Sequence, residues 1–230
     1  LKLVTMLIEL APYGVFSLLL TLFAVKGIGV IGDLSKYFFL LLFVLIFHGL
    51  VTYGLFITLI AKLNPLTFFS KLRSLSVFAF STSSSSATMP VTLRTVTTKL
   101  GVKPSIGSFT VPLGATVNMD GTAIMQGIAT VFIAQAYNID LTTIDYLMVI
   151  LTATLASIGT AGVPGVGLIM LAMVLEQVGL PVEGIALIIG VDRLLDMTRT
   201  VVNVCGDSMV SCVVAKSEGE FDKEIFDSKI

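Results

Sequence analysis

Apolar residues run along this chain in blocks, and what interrupts each block sets the architecture. About Leu7 to Val25 is a first hydrophobic stretch; Lys26 ends it, and Gly27-Ile-Gly29 makes a loop. Tyr37 to Ile60 is a second block, almost unbroken apolar sequence, stopped by Lys62-Leu-Asn-Pro65. A helix needs about 20 residues to cross a bilayer, so both blocks predict ordinary spanning helices. His48 stands alone on the second, and reads as a packed side chain in preference to a proton relay.

After Pro65 the blocks shorten. Leu66 to Phe80 is too short to span comfortably; a run of hydroxyls, Ser81-Thr-Ser-Ser-Ser-Ser86, and Ala87-Thr-Met-Pro90 follow, then a second short arm, Val91 to Leu100. Two half-length arms around a polar tip predict a hairpin (64–102) that enters and leaves the membrane on one side, tolerated at depth only where protein or water surrounds it. Lys62, Lys71 and Arg73 precede the tip and Arg94, Lys99 and Lys103 follow it, so both feet are expected on the cytoplasmic side. The next block, 105–136, carries Gly114-Ala-Thr-Val-Asn-Met-Asp-Gly-Thr122 at its centre. Asn, Asp and two Gly suit a broken helix whose carbonyls and side-chain oxygens hold an ion.

Asp140 and Asp145 follow with no Lys or Arg near them, which places Tyr137 to Tyr146 outside. The hairpin pattern then recurs at 141–180, with Ser157 to Gly167 as a glycine-rich tip and Glu176 and Glu183 in an acidic connection. Two re-entrant hairpins from opposite faces define an inverted repeat, with the binding site where their tips meet. The last block, 185–214, carries Asp192, Asp196, Arg199, Asn203 and Asp207 at steps of 4, 3, 4 and 4. These fall on one helix face, a stripe about 22 Å long at 1.5 Å per residue. Each ionisable residue in a span costs about 2.5–3.5 kcal/mol to insert, so the stripe reads as the lining of a ligand or ion path. A ladder of internal salt bridges such as Asp196 with Arg199 is the competing reading, but one cation cannot neutralise three carboxylates. Residues 216–230 alternate acid and base and read as a solvated cytoplasmic tail.

Composition agrees. Hydrophobic residues make up 55% and charged residues 13%, where soluble domains carry about 25% charged residues. The net charge of −1 offers nothing to nucleic acid. Cys205 and Cys212 have no metal or disulfide spacing and read as small packing residues. The serine run has no paired base, which argues against an intramembrane enzyme.

Four motifs now stand in order: the serine-rich tip, Asn118-Met-Asp-Gly-Thr122, Gly159-Thr-Ala-Gly-Val-Pro-Gly165, and Asp196-x-x-Arg-Thr-x-x-Asn-x-x-Gly-Asp207. Together they resemble the glutamate transporter family, the dicarboxylate/amino acid:cation symporters, and in particular its prokaryotic sodium-dependent glutamate/aspartate carriers. The resemblance covers essentially the whole chain and implies the carboxy-terminal half of a longer protein. It implies an all-α membrane protein of the elevator type, multi-pass in the inner (plasma) membrane and homotrimeric. Residues 1–30 would belong to the trimerisation scaffold, 31–215 to the transport domain and 216–230 to the tail.

Site roles follow from the same resemblance. Arg199 would pair with the side-chain carboxylate of L-aspartate or L-glutamate, and Asp196 would take the ammonium. Thr122, Thr200 and Asn203 would complete the substrate site, with Ser83, Ser85, Val163 and Gly167 closing it from the two tips. Sodium ions, as coupling ions, would be held at Gly114, Asn118, Asn203 and Asp207; at Thr116, Ser157, Ile158 and Thr160; and, with Asn118, at Asp120. All are oxygen ligands, as a hard cation requires. This chain departs from the family in two places. Neither Ser83 nor Met197 is the arginine that archaeal or animal carriers place at one of those positions. Gln126 stands where animal carriers have a proton-carrying glutamate. Alternative readings are a proton-coupled glutamate carrier, a C4-dicarboxylate carrier with no use for Asp196 as an ammonium partner, and an ion-conducting channel.

Overall fold

The computed structural model describes residues 30–228 and, before them, Tyr13, Phe16, Ser17, Leu20 and Ala24. The first expected span thus lies outside the described residues but for those positions. The regular structure of the described residues is all helical, with one isolated antiparallel bridge between Val102 and Phe221 and no strand among them.

Helix α1, Val30–Phe47, continues as one rod through a π-helical turn His48–Thr52, a short turn Tyr53–Leu55 and a second π-helical turn Phe56–Ile60. Its stretch Gly32–Ile60, at mean hydropathy 2.4, is the one helix among the described residues long and apolar enough to cross a membrane by length and composition. Leu34, Tyr37, Leu41, Leu45 and Tyr53 face the protein, while Phe39, Phe43, Phe47, Phe56 and Leu59 are exposed.

Asn64 then caps α2, Pro65–Thr82, its side chain accepting from the amides of Leu66 and Thr67, with Pro65 in the first turn where its missing N–H costs nothing. Ser83, at φ 50°, turns the chain through the left-handed region, and Ser84 caps α3, Ser85–Thr98. The tip is therefore shorter than the hydroxyl run predicts. Once Ser84 accepts from the Ala87 amide, the later serines are free to join the helix. Helix α4, Pro104–Val117, and α5, Asp120–Ala136, are separated by only Asn118 and Met119. Helix α6, Thr143–Ile158, opens with a capping box between Thr142 and Asp145, and α7, Val166–Gln177, completes a second helical hairpin.

Helix α8, Ile185–Ser217, is unbroken and central, packing against α1, α2, α3, α4 and α5. Both cysteines on it are buried and free, as their spacing implies.

The tail departs from the solvated end expected of it. The chain turns at Gly219, and a short helix α9, Lys223–Asp227, docks under the first hairpin with Phe226 fully buried. Backbone bonds join Lys103 N–H to the Glu220 carbonyl and Asp222 N–H to the Gly101 carbonyl at 2.7 Å. Lys71, 3% exposed, donates from Nζ to the carbonyls of Lys99 and Ile225 at 2.9 and 2.7 Å. The alternating charges hide Phe221 and Phe226, whose burial supplies the driving force; a fully buried Phe contributes about 1.5–3 kcal/mol.

Candidate functional site

Three interruptions in the helices converge on the middle of α8. From the first tip, Ser84 Oγ donates to the Gly162 carbonyl at 2.6 Å, and Ser86 N–H donates to the same oxygen at 3.1 Å. From the second tip, Gly165 N–H donates to Asp196 Oδ2 at 3.2 Å. Gly165 sits at φ 80°, a conformation that costs a side chain dearly, and it turns this amide toward α8. At the break, Gly121 N–H donates to Asn203 Oδ1 at 2.8 Å, and Asn118 Nδ2 donates to Asp207 Oδ1 at 3.0 Å. The two halves of the broken helix are thus pinned to α8 one turn apart.

Of the residues expected to bind substrate, Ser83, Ser85, Thr122, Val163, Gly167, Asp196, Thr200 and Asn203 line one cavity together with Met119, Thr160, Ala161 and Gly162. It encloses about 20 Å³, room for about one water molecule. Arg199 lies behind its wall, 1% exposed, with Nη2 3.7 Å from where a Cβ on Gly167 would sit.

That guanidinium is held by α8 itself. Nη2 donates to Asp196 Oδ1 at 2.7 Å and to Asp192 Oδ2 at 3.3 Å, and Nη1 lies 3.0 Å from Asp192 Oδ1. The stripe is therefore in part the salt-bridge ladder that a count of charges argued against. One cation does serve two carboxylates, because i,i+3 and i,i+7 spacing sets both beside one planar fork. Asp207 lies beyond its reach.

The first expected cation set is brought together. Asn118 bonds to Asp207, Asn203 to the amide of Gly121, and Gly114 faces the Asp207 carboxylate so closely that any side chain there would collide with it. These residues carry carboxylate, amide and carbonyl oxygens, the donor types a hard cation takes, and only glycine fits at 114 beside the carboxylate. The second set is expected to act largely through backbone carbonyls, and its side chains are engaged elsewhere. The hydroxyls of Thr116, Ser157 and Thr160 bond to the carbonyls of Leu113, Thr154 and Ala156 in their own helices, and Ile158 is exposed. The Asp120 carboxylate is bonded from α1. Its Oδ2 accepts from Tyr53 Oη at 3.0 Å and meets His48 Nε2 at 3.1 Å. The packed-residue reading of His48 is thus corrected: the ring is bound to a carboxylate, at a contact that apolar periodicity does not reveal. Tyr53 carries no signal in the sequence beyond residue type, whereas Ser84 and Gly162 lie in the two tip motifs without being singled out within them.

The profile of the sodium:dicarboxylate symporter family matches residues 1–217. Excitatory amino acid transporter 1 of Rattus norvegicus is 40% identical over 215 residues, 93% of this chain and 40% of that protein. The proton/glutamate-aspartate symporter of Escherichia coli (strain K12) is 39% identical over 226 residues, 97% of this chain and 51% of that protein. Excitatory amino acid transporter 2 of Homo sapiens is 39% identical over 222 residues, 94% of this chain and 39% of that protein. The chain spans about two-fifths to one-half of the length of these relatives. With the whole chain but its tail matched, and in agreement with the sequence motifs, the chain belongs to the sodium:dicarboxylate symporter family.

Proposed function

We propose that this chain forms the substrate-binding part of a cation-coupled symporter for L-aspartate or L-glutamate. The observation that carries the reading is the convergence on Asp196 and Arg199 of both tips and the broken helix. In this reading residues 31–215 form a mobile transport domain, residues 1–30 belong to a trimerisation scaffold, and the assembly sits in the plasma membrane. The two hairpins enter from opposite faces, and the loaded domain slides across as an elevator.

Arg199 exchanges one carboxylate for another. The substrate's side-chain carboxylate takes the place of Asp196 at Nη2, and Asp196, released, receives the ammonium. The guanidinium is never left buried and unpaired, a condition that costs about 3–5 kcal/mol when one partner of a buried pair is lost. Because the cavity holds about one water, an amino acid enters only if the Gly165–Asp196 contact opens and the second tip lifts. Closure then depends on ligand, an ordinary population shift. Sodium is cargo in this scheme. Gly114, Asn118, Asn203 and Asp207 hold one ion, Asp120 with Asn118 serves another, and Thr116, Ser157, Ile158 and Thr160 form a further set only after the second tip rearranges.

Proton coupling is the second reading, favoured by the E. coli relative's designation as a proton/glutamate-aspartate symporter. The deciding experiment is aspartate binding to the full-length protein by calorimetry, with and without sodium, at two pH values. Steep sodium dependence that is flat with pH supports sodium coupling. Binding indifferent to sodium and sharply pH-dependent moves the protein to the proton-coupled branch. Arg199→Thr is expected to abolish acidic amino acid binding and favour small neutral ones; unchanged aspartate affinity in that variant would sink the role given to Arg199.

A further inference from the structure

We propose that His48 and Tyr53 are positioning residues for the Asp120 carboxylate, brought to it by a π-helical turn in α1. The inference rests on the reading of Asp120 as a cation ligand and goes beyond it, since neither residue belongs to any of the ligand sets above.

Tyr53 N–H donates to the His48 carbonyl, an i to i+5 bond that closes the π turn on these two residues. In an α-helix of 3.6 residues per turn, positions five apart point about 140° away from one another. The wider π turn lets both side chains leave the rod on the side of α5, and single π turns of this kind gather at functional sites. Their rings meet edge to face, with centroids 4.9 Å apart. Both polar atoms reach the same oxygen, Asp120 Oδ2, while Oδ1 accepts no hydrogen bond among the described residues. Two donors on one oxygen fix the rotation of a carboxylate and leave the other oxygen free to coordinate. This is how outer residues orient a metal-binding side chain.

A third feature makes room for the arrangement. A Cβ on Gly206 would lie 2.7 Å from both Tyr53 Oη and Asn118 Nδ2. Glycine there lets the phenol and the amide that bonds Asp207 meet on the same surface of α8. The tyrosine, the asparagine and the two carboxylates therefore form one connected polar patch from α1, α5 and α8.

The test uses the full-length protein and reads the sodium concentration that half-saturates aspartate binding, together with direct sodium binding in the absence of aspartate. His48→Leu is expected to raise that concentration about tenfold, the lower end of the cost of losing an outer partner of a metal ligand. His48→Gln, whose amide can donate to Oδ2, is expected to restore most of it, and Tyr53→Phe to give a smaller rise. Asp120→Asn separates the two ideas. If it leaves sodium dependence unchanged, Asp120 is no cation ligand and the inference falls with that reading. If it shifts sodium dependence while His48→Leu and Tyr53→Phe do not, the positioning role alone is overturned. Loss of aspartate capacity at an unchanged sodium midpoint would show His48 to be structural and would also overturn it. Should His48→Leu fail to fold, Tyr53→Phe, which removes one hydroxyl, decides the matter.

Discussion

The two helical hairpins have the same outline and opposite anchoring. The first is tied at both ends. At its feet Lys71 Nζ joins α2 to the end of α3 and to α9, and Lys99 Nζ donates to Ser74 Oγ at 3.1 Å. At its tip Thr82 and Thr88 pair their hydroxyls at 2.9 Å, and Thr88, Thr92 and Thr95 are buried. The second hairpin, among the described residues, is joined to other elements by hydrogen bonds only at its tip, through Gly162 and Gly165. Elsewhere it rests on apolar contacts, with Ile144, Leu147, Ile150, Leu155, Ile169 and Met173 exposed. Apolar contacts are non-directional and survive sliding, whereas an ammonium among carbonyls has one good position. Moving elements belong to the weakly tied end of a structure, so in the proposed reading the second hairpin is the one that opens over the site.

Removing the anchor should erase much of that contrast. Ending the full-length protein at Ser217 deletes α9, exposes the pocket filled by Phe226 and leaves Lys71 with one acceptor, the Lys99 carbonyl. Loss of a buried Phe costs about 3–5 kcal/mol. Hydrogen–deuterium exchange should rise sharply in residues 65–75 and 99–104 and hardly change in 143–177. Lys71→Met should give the same pattern with a smaller rise, because it strands buried acceptors worth about 1–3 kcal/mol. Equal increases in both hairpins would mean that the tail stabilises the fold as a whole and does not single out the first hairpin.

A smaller effect should come from the contact between the tips. A Cβ on Gly162 would lie 2.8 Å from Ser86 Oγ, 3.0 Å from its amide nitrogen and 3.2 Å from the Ala115 carbonyl. Two of these neighbours are backbone and cannot swing aside. Gly162→Ala should hold the second tip away from the first at a cost of about 1–3 kcal/mol, which is about a 5- to 150-fold loss of aspartate affinity. The thermal midpoint should move little, because the first hairpin keeps its other anchors. A fall in stability with affinity intact would place the strain in the first hairpin and reverse the assignment of the mobile element.

These anchors were legible in the sequence to very different degrees. Apolar blocks, the serine tip, the Asn118–Asp120 break and the stripe on α8 stand out because a polar residue in mid-span is expensive and needs a reason. Element bounds follow closely: α8 is expected over 185–214 and spans Ile185–Ser217. What the pattern hides is pairing. Nothing in spacing alone distinguishes an Arg199 turned toward substrate from one already shared by Asp192 and Asp196. The tail looks solvated because its charges outnumber the two phenylalanines that dock it. His48 and Tyr53 look apolar-facing because periodicity assumes 3.6 residues per turn, and the π turn breaks that assumption.

The finest test of the contrast is the single hydroxyl of Ser84, which works in two places. Its oxygen accepts from the Ala87 amide at the start of α3, and its proton goes to the Gly162 carbonyl. The first bond belongs to the anchored hairpin and the second to the movable one. Ser84→Gly should separate them, since glycine at a helix N-cap costs only a few tenths of a kcal/mol while the bond to Gly162 is lost outright. One neutral hydrogen bond contributes about 0.5–1.5 kcal/mol, so aspartate affinity should fall about 2- to 12-fold with the thermal midpoint almost unchanged. Ser86 N–H still reaches the same carbonyl, which keeps the loss at the lower end. If Ser84→Gly instead lowers the thermal midpoint and spares affinity, the hydroxyl matters to the cap alone. Closure of the second tip would then rest on Gly165 and Asp196.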